Sequence, residues 1–159
     1  MANPTNQIPI LWNRLAGSPF GPRLFSRVLS RLVPYSGSIK PQVLELRSGF
    51  ARVEMRDRRP VRNHLNSIHA IALANLGELA SGLALNYGLP EHARAILTGI
   101  SVEYLKKARG TLLAEASTPV PDGLEREELE VETLIRDREG EVVARVVARW
   151  LVGPREPRS

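Results

Sequence analysis

The sequence predicts an α+β domain in which an antiparallel sheet packs against one long central helix. Two observations carry that expectation. Arg62 to Tyr87 opens as a polar stretch without period and becomes, from His69, an Ala/Leu-rich run of about five helical turns with no proline. Most of the remaining chain alternates apolar and polar residues in short runs separated by turn signals at hairpin spacing. Such strands form an antiparallel sheet, and the long helix must bury its apolar stripe against it.

In chain order, residues 1–38 read as a tail and helices packed on the domain, with Met1 to Gln7 as loose chain. Ile8 to Leu15 is a short helix ended by Gly17-Ser18-Pro19. Pro22 opens a second helix to about Leu32, with proline in its favoured first turn. Leu24, Phe25, Val28, Leu29 and Leu32 form its apolar face, and Arg23, Arg27 and Arg31 form a basic stripe. That stripe reads either as arginines in water on a docked helix or as a membrane-surface helix.

Residues 39–153 are expected to form the sheet domain, with 154–159 as tail. Val43 to Met55 is a hairpin turning at Ser48-Gly49, with Leu44 and Leu46 on one face of its first strand. Arg56 to Arg62 is a charged connector. In the central helix Ala72, Leu73, Leu76, Leu79, Ala80 and Leu83 share one face. The opposite face, with Asn75, Gly77, Glu78, Ser81 and Gly82, is small and polar. Ile96 to Tyr104 is a long strand whose Gly99 suggests a bulge or a close backbone approach. Strands through Leu112–Ala116, Leu129–Ile135 and Val142–Trp150 follow, the last two joined at Glu139-Gly140.

A chain of 159 residues can bury a core as one domain. The absence of cysteine excludes disulfides, zinc–thiolate sites and cysteine nucleophiles. His64 and His69 lack a third ligand, so no metal site is expected. Neither a signal peptide nor a membrane span is read, and a cytoplasmic location is compatible. The net charge of +5 comes almost wholly from arginine and favours an anionic partner. Nucleic acid is not that partner, because no helix-turn-helix, RNA-recognition or zinc motif is present.

Asn63 stands six residues before His69-Ala70, and Glu78 nine residues after His69. Val102-Glu103-Tyr104-Leu105-Lys106-Lys107-Ala108-Arg109-Gly110 adds a tyrosine-leucine pair, basic residues and a glycine at a strand end. With the Asp137–Gly140 turn, these features resemble the hotdog-fold acyl-CoA thioesterase superfamily, from about Gln42 to Leu151. The Arg/Leu-rich N-terminal helices resemble an uncharacterised branch of it. Ala70-Ile71 replaces the double glycine of the helix start, and Lys107 stands where proline is common.

The resemblance implies a thioester hydrolase in which Glu78 is general base or nucleophile and the Ala70 N–H is the oxyanion donor. Asn63 and His69 complete that catalytic set, although each also suits a plain helix-start or loop role. In the family the acid faces the helix start of the other subunit, which implies a homodimer or a tetramer. The substrate is an acyl-CoA thioester and no separate cofactor is needed. Arg62, Lys106, Lys107 and Arg109 are candidates for the coenzyme A phosphates, and Ser81 and Gly82 leave room for substrate beside Glu78. A solvated or arginine-paired glutamate is the alternative reading of Glu78. A non-catalytic acyl-CoA binder is the alternative function, and a hydratase/dehydratase ranks below it because the required histidine–acid spacing is missing.

Overall fold

The structure, a computed structural model, describes residues 4–155, with side chains from Gln7 onward. The expected tails therefore lie largely outside the described residues, but Pro4–Gln7 is helical. It forms the start of α1 (Pro4–Leu15), which packs on α2 (Gly21–Leu32). The Trp12 and Phe25 rings meet edge to face, centroids 5.0 Å apart, and both are buried. One further turn, α3 (Pro34–Gly37), leads into the sheet.

The strands are β1 (Gln42–Arg47), β2 (Phe50–Met55), β3 (Ala93–Tyr104), β4 (Leu112–Ser117), β5 (Glu127–Arg136) and β6 (Val142–Pro154), with α4 (Ala70–Gly88) between β2 and β3. Their order across the sheet is β1-β2-β4-β5-β6-β3, and every neighbouring pair is antiparallel. The β1–β2 turn places Gly49 at φ 72°, and its N–H donates to the Ala84 carbonyl of α4 at 3.0 Å. A side chain there would be strained and would strike the Thr118 carbonyl.

Two strands depart from simple alternation through bulges. In β1 the register shifts between Val43 and Glu45, so Val43 and Leu46 are buried while Leu44 is 40% exposed. The expected pairing of Leu44 with Leu46 on one face is thereby corrected. In β3 the shift falls between Leu97 and Gly99, as the interior glycine suggested.

α4 is buried nearly all round. Leu76, Ala80 and Leu85 are fully covered, each leucine contributing about 1.5–3 kcal/mol of burial. The small, polar face is largely covered too, including Ser81, where room for substrate was expected. A Cβ at Gly77 would lie 2.4 Å from Val146, and Ser81 is buried with its Oγ accepting from Trp150 Nε1 at 3.2 Å. Small residues let β6 approach the helix this closely. What remains partly open is a stripe of Ile71, Ala74, Glu78 and Gly82.

The two sheet edges differ. α2 covers β1, where the edge N–H of Val43 donates to Ser26 Oγ at 2.9 Å. β3 has no neighbour on its outer side among the described residues, and exposes Ile96, Ile100 and Tyr104.

Candidate active site

The helix start is built by the chain that precedes it. Asn63 Oδ1 accepts from Leu65 N, Ser67 N and Ser67 Oγ, which folds 63–67 into a tight loop. His69 then serves as N-cap: its backbone is extended and its Nδ1 accepts from Ile71 N at 3.1 Å. Ala70 is the first helical residue. Its N–H has no partner among the described residues, as expected of a first-turn donor, and its carbonyl accepts from Tyr104 Oη at 3.0 Å. Tyr104 thus ties the end of β3 to the helix start. The sequence marked this tyrosine only as part of a strand signature, with no signal for its partner 34 residues away.

Glu78 lies two turns further along the open stripe. It is half-buried, and burial pushes its carboxyl above the ordinary value of 4.5. No described residue gives its carboxylate a hydrogen bond or an ion pair. Gly82 lies between it and β6: a Cβ there would stand 3.2 Å from the Trp150 ring and 3.9 Å from Glu78 Oε1. Gly82 therefore neighbours the carboxylate, whereas Ser81 faces the sheet.

The basic candidates divide into two pairs. Arg62 is engaged, its Nε 2.6 Å from Asp57 Oδ1. Lys106 is held by Asp137 at 2.8 Å and by Glu141, and the two hydrogen bonds raise its pKa. Lys107 and Arg109 are exposed, with no hydrogen bond or ion pair among the described residues. They line a cleft of about 370 Å³ with Arg138 and Glu139. Among the described residues no group of histidine and acidic side chains is placed to hold a metal.

Residues 21–152 match the family described as a domain of unknown function, DUF4442. The chain belongs to the DUF4442 family. A structural-genomics crystal structure is similar to this DUF4442 domain at 34% identity, with a TM-score of 0.81 over 95% of this chain and 99% of the other. A Pseudomonas aeruginosa protein described as a probable thioesterase aligns at 22% identity and TM-score 0.74, covering 84% and 97% of the two chains. A Bacillus halodurans protein crystallised with CoA aligns at 26% identity and TM-score 0.58, covering 64% and 66%. No curated protein matches. The antiparallel sheet wrapped on α4, with the likeness in fold to these structures, makes this DUF4442 domain a hotdog fold. No described helix is long and apolar enough to cross a membrane.

Proposed function

We propose that this DUF4442 domain hydrolyses acyl-CoA thioesters, with Glu78 as general base or nucleophile and the Ala70 N–H as oxyanion donor. The observation that carries the reading is the Glu78 carboxylate: half-buried, raised in pKa and without a partner, on the open stripe of the central helix. Burial without a partner costs stability and gives nothing structural in return. A carboxyl kept basic enough to take a proton from water is suited to attack on a thioester. The likeness to a protein named as a thioesterase and to one crystallised with CoA supports the same chemistry.

Ala70 and Glu78 of a single chain are poorly placed to serve one carbonyl. Eight residues of helix separate them by about 12 Å. A reacting carbonyl needs its oxygen about 3 Å from the donor and its carbon about 3–3.5 Å from the nucleophile. Groups supplied by different chains can approach one carbonyl more closely, which favours a homodimer. The open β3 edge, with Ile96, Ile100 and Tyr104 beside it, is the surface we assign to that contact. Lys107 and Arg109 then receive CoA phosphates, because Arg62 and Lys106 are already held by carboxylates.

The test is thiol release from a panel of acyl-CoA thioesters by wild type and Glu78→Gln. Glutamine keeps volume but cannot accept a proton, so turnover should fall at least about a hundredfold, roughly 2.7 kcal/mol of barrier. Binding of acyl-CoA with no turnover by wild type would instead establish the non-catalytic binder, a reading favoured by Ile71, 54% exposed where glycine would leave the helix start clear.

A further inference from the structure

The arginine stripe of α2 forms one wall of a second site, on the side of the domain where α2 covers β1. A groove of about 780 Å³ runs between α2, the chain entering β1 and the end of β2. Arg23, Arg27 and Arg31 line it from the helix, Lys40 from the loop, and Arg56 and Arg58 from the chain that leaves β2. Glu54 is its single acidic lining residue, and it is spent on Arg56 at 3.4 Å. The excess of five positive charges equals the net charge of the whole chain.

Most of these charges have no protein partner. Arg23, Arg27, Arg31 and the Lys40 ammonium make no hydrogen bond or ion pair with a described residue. Arg58 donates one weak bond, Nη2 to the Ser38 carbonyl at 3.4 Å, while its Nε is buried with no acceptor. Convergent like charges repel, and a buried guanidinium N–H without an acceptor costs free energy. The groove is also built rather than incidental. Gly37 lets α3 press against α2, since a Cβ there would lie 2.3 Å from the Ser30 carbonyl. Lys40 is held in the left-handed region, at φ 50°.

We propose that this groove binds a small polyanion carrying two or more phosphate groups. Guanidinium forks match phosphate oxygens in pairs of charge-assisted hydrogen bonds. Arg23 to Arg31 spans about 12 Å of helix, more than one tetrahedral phosphate can bridge. A terminal phosphate carries roughly 1.5–2 negative charges, so two or three of them offset the excess. The volume suits a ligand of nucleotide size. No aromatic side chain lines the groove, so it lacks the stacking platform of a single-stranded nucleic-acid site. The site is separate from the Lys107–Arg109 cleft and does not depend on thioester chemistry.

Calorimetric titration of the full chain with inorganic pyrophosphate tests this. We expect saturable binding to one site per chain, weakened at least about tenfold in Arg31→Gln and in Arg27→Gln/Arg58→Gln. Salt at about 0.5 M should weaken it further. Arg47→Gln, an exposed arginine outside the groove, is the control and should bind as wild type does, with circular dichroism confirming that all variants fold. No saturable binding by wild type, or equal loss in Arg47→Gln, would overturn the proposal. Phe20 at the α2 N-cap and Leu24 on α2, both exposed, make a lipid headgroup the competing source of phosphate. Sedimentation with phosphatidylglycerol vesicles that pyrophosphate fails to reverse would also overturn it.

Discussion

The carboxylates at the strand ends and the carboxylate on the central helix are treated in opposite ways. Asp57 has a side chain only 13% exposed, and burial alone would raise its pKa. The Arg62 hydrogen bond, the Gly110 N–H at 2.8 Å and the charges of Arg62 and Arg109 outweigh that and lower it. Asp137 is lowered by the Lys106 hydrogen bond, with help from the N–H groups of Glu139 and Glu141. These acids close turns and hold strand ends together. Glu78 has none of that support, and its pKa moves the other way. A fold that pairs its structural acids this consistently marks the one it leaves unpaired on a half-buried helix face as a site candidate.

The contrast depends on α4 lying hard against β6, so the largest expected effect comes from prising them apart. Gly77→Ala puts a methyl within 2.4–2.7 Å of the Val146 side chain. Overpacking of that kind costs typically 1–3 kcal/mol. Thermal unfolding should show the loss, and an unchanged melting temperature would mean that the helix sits further from the sheet.

Asp57→Ala comes next. It removes the Arg62 pair and leaves the Gly110 N–H without its acceptor, for about 1 kcal/mol in a urea titration. Comparing Asp57→Asn with Glu78→Gln sharpens the contrast through the sign of the change. Asp57 has a lowered folded pKa, so its stabilisation is present above the ordinary value of 3.8 and fades as pH falls through the folded value. Glu78 has a raised folded pKa, so its stabilisation is present below 4.5 and is lost as pH rises through the raised value. At pH 7, then, Asp57→Asn should melt below wild type and Glu78→Gln slightly above it, the latter by less than about 1 kcal/mol. The Glu78 gap should close as pH falls through the raised value toward 4.5 and the Asp57 gap mainly below 3.8, and shifts of the same sign at pH 7 would collapse the distinction. Smallest of all is Lys106→Ala. Its partners Asp137 and Glu141 stay in a turn held by backbone hydrogen bonds, and melting should not measurably change.

How much of this was legible beforehand follows from range. The run from His69 to Tyr87 announced α4, and Gly99 announced a bulge, because each signal is local. The bulge that turns Leu44 outward carries no glycine and left no trace in the alternation of β1. The second face of α4 looked open because a helical wheel cannot show a sheet that wraps it; Gly77 and Ser81 are small for β6, not for solvent. Arg62 and Lys106 looked available for phosphate because Asp57, Asp137 and Glu141 reach them through tertiary contacts. The arginine stripe of α2 was plain in the sequence, whereas Lys40, Arg56 and Arg58 join it only in the folded chain.

The central claim is that one catalytic site takes its oxyanion donor from one chain and its acid from another, and subunit mixing tests it most directly. Ala70 is the first helical residue after an extended His69, so Ala70→Pro keeps the helix start and removes only the N–H. Ala70→Pro and Glu78→Gln should each be nearly inactive alone. Unfolded and refolded together in equal amounts, half of the dimers pair one variant with the other, and each such dimer holds one intact site of two. Acyl-CoA hydrolysis should then return to about a quarter of the wild-type rate. Two variants that stay as inactive mixed as apart, with mixed dimers verified by mass, would contradict a site shared between chains.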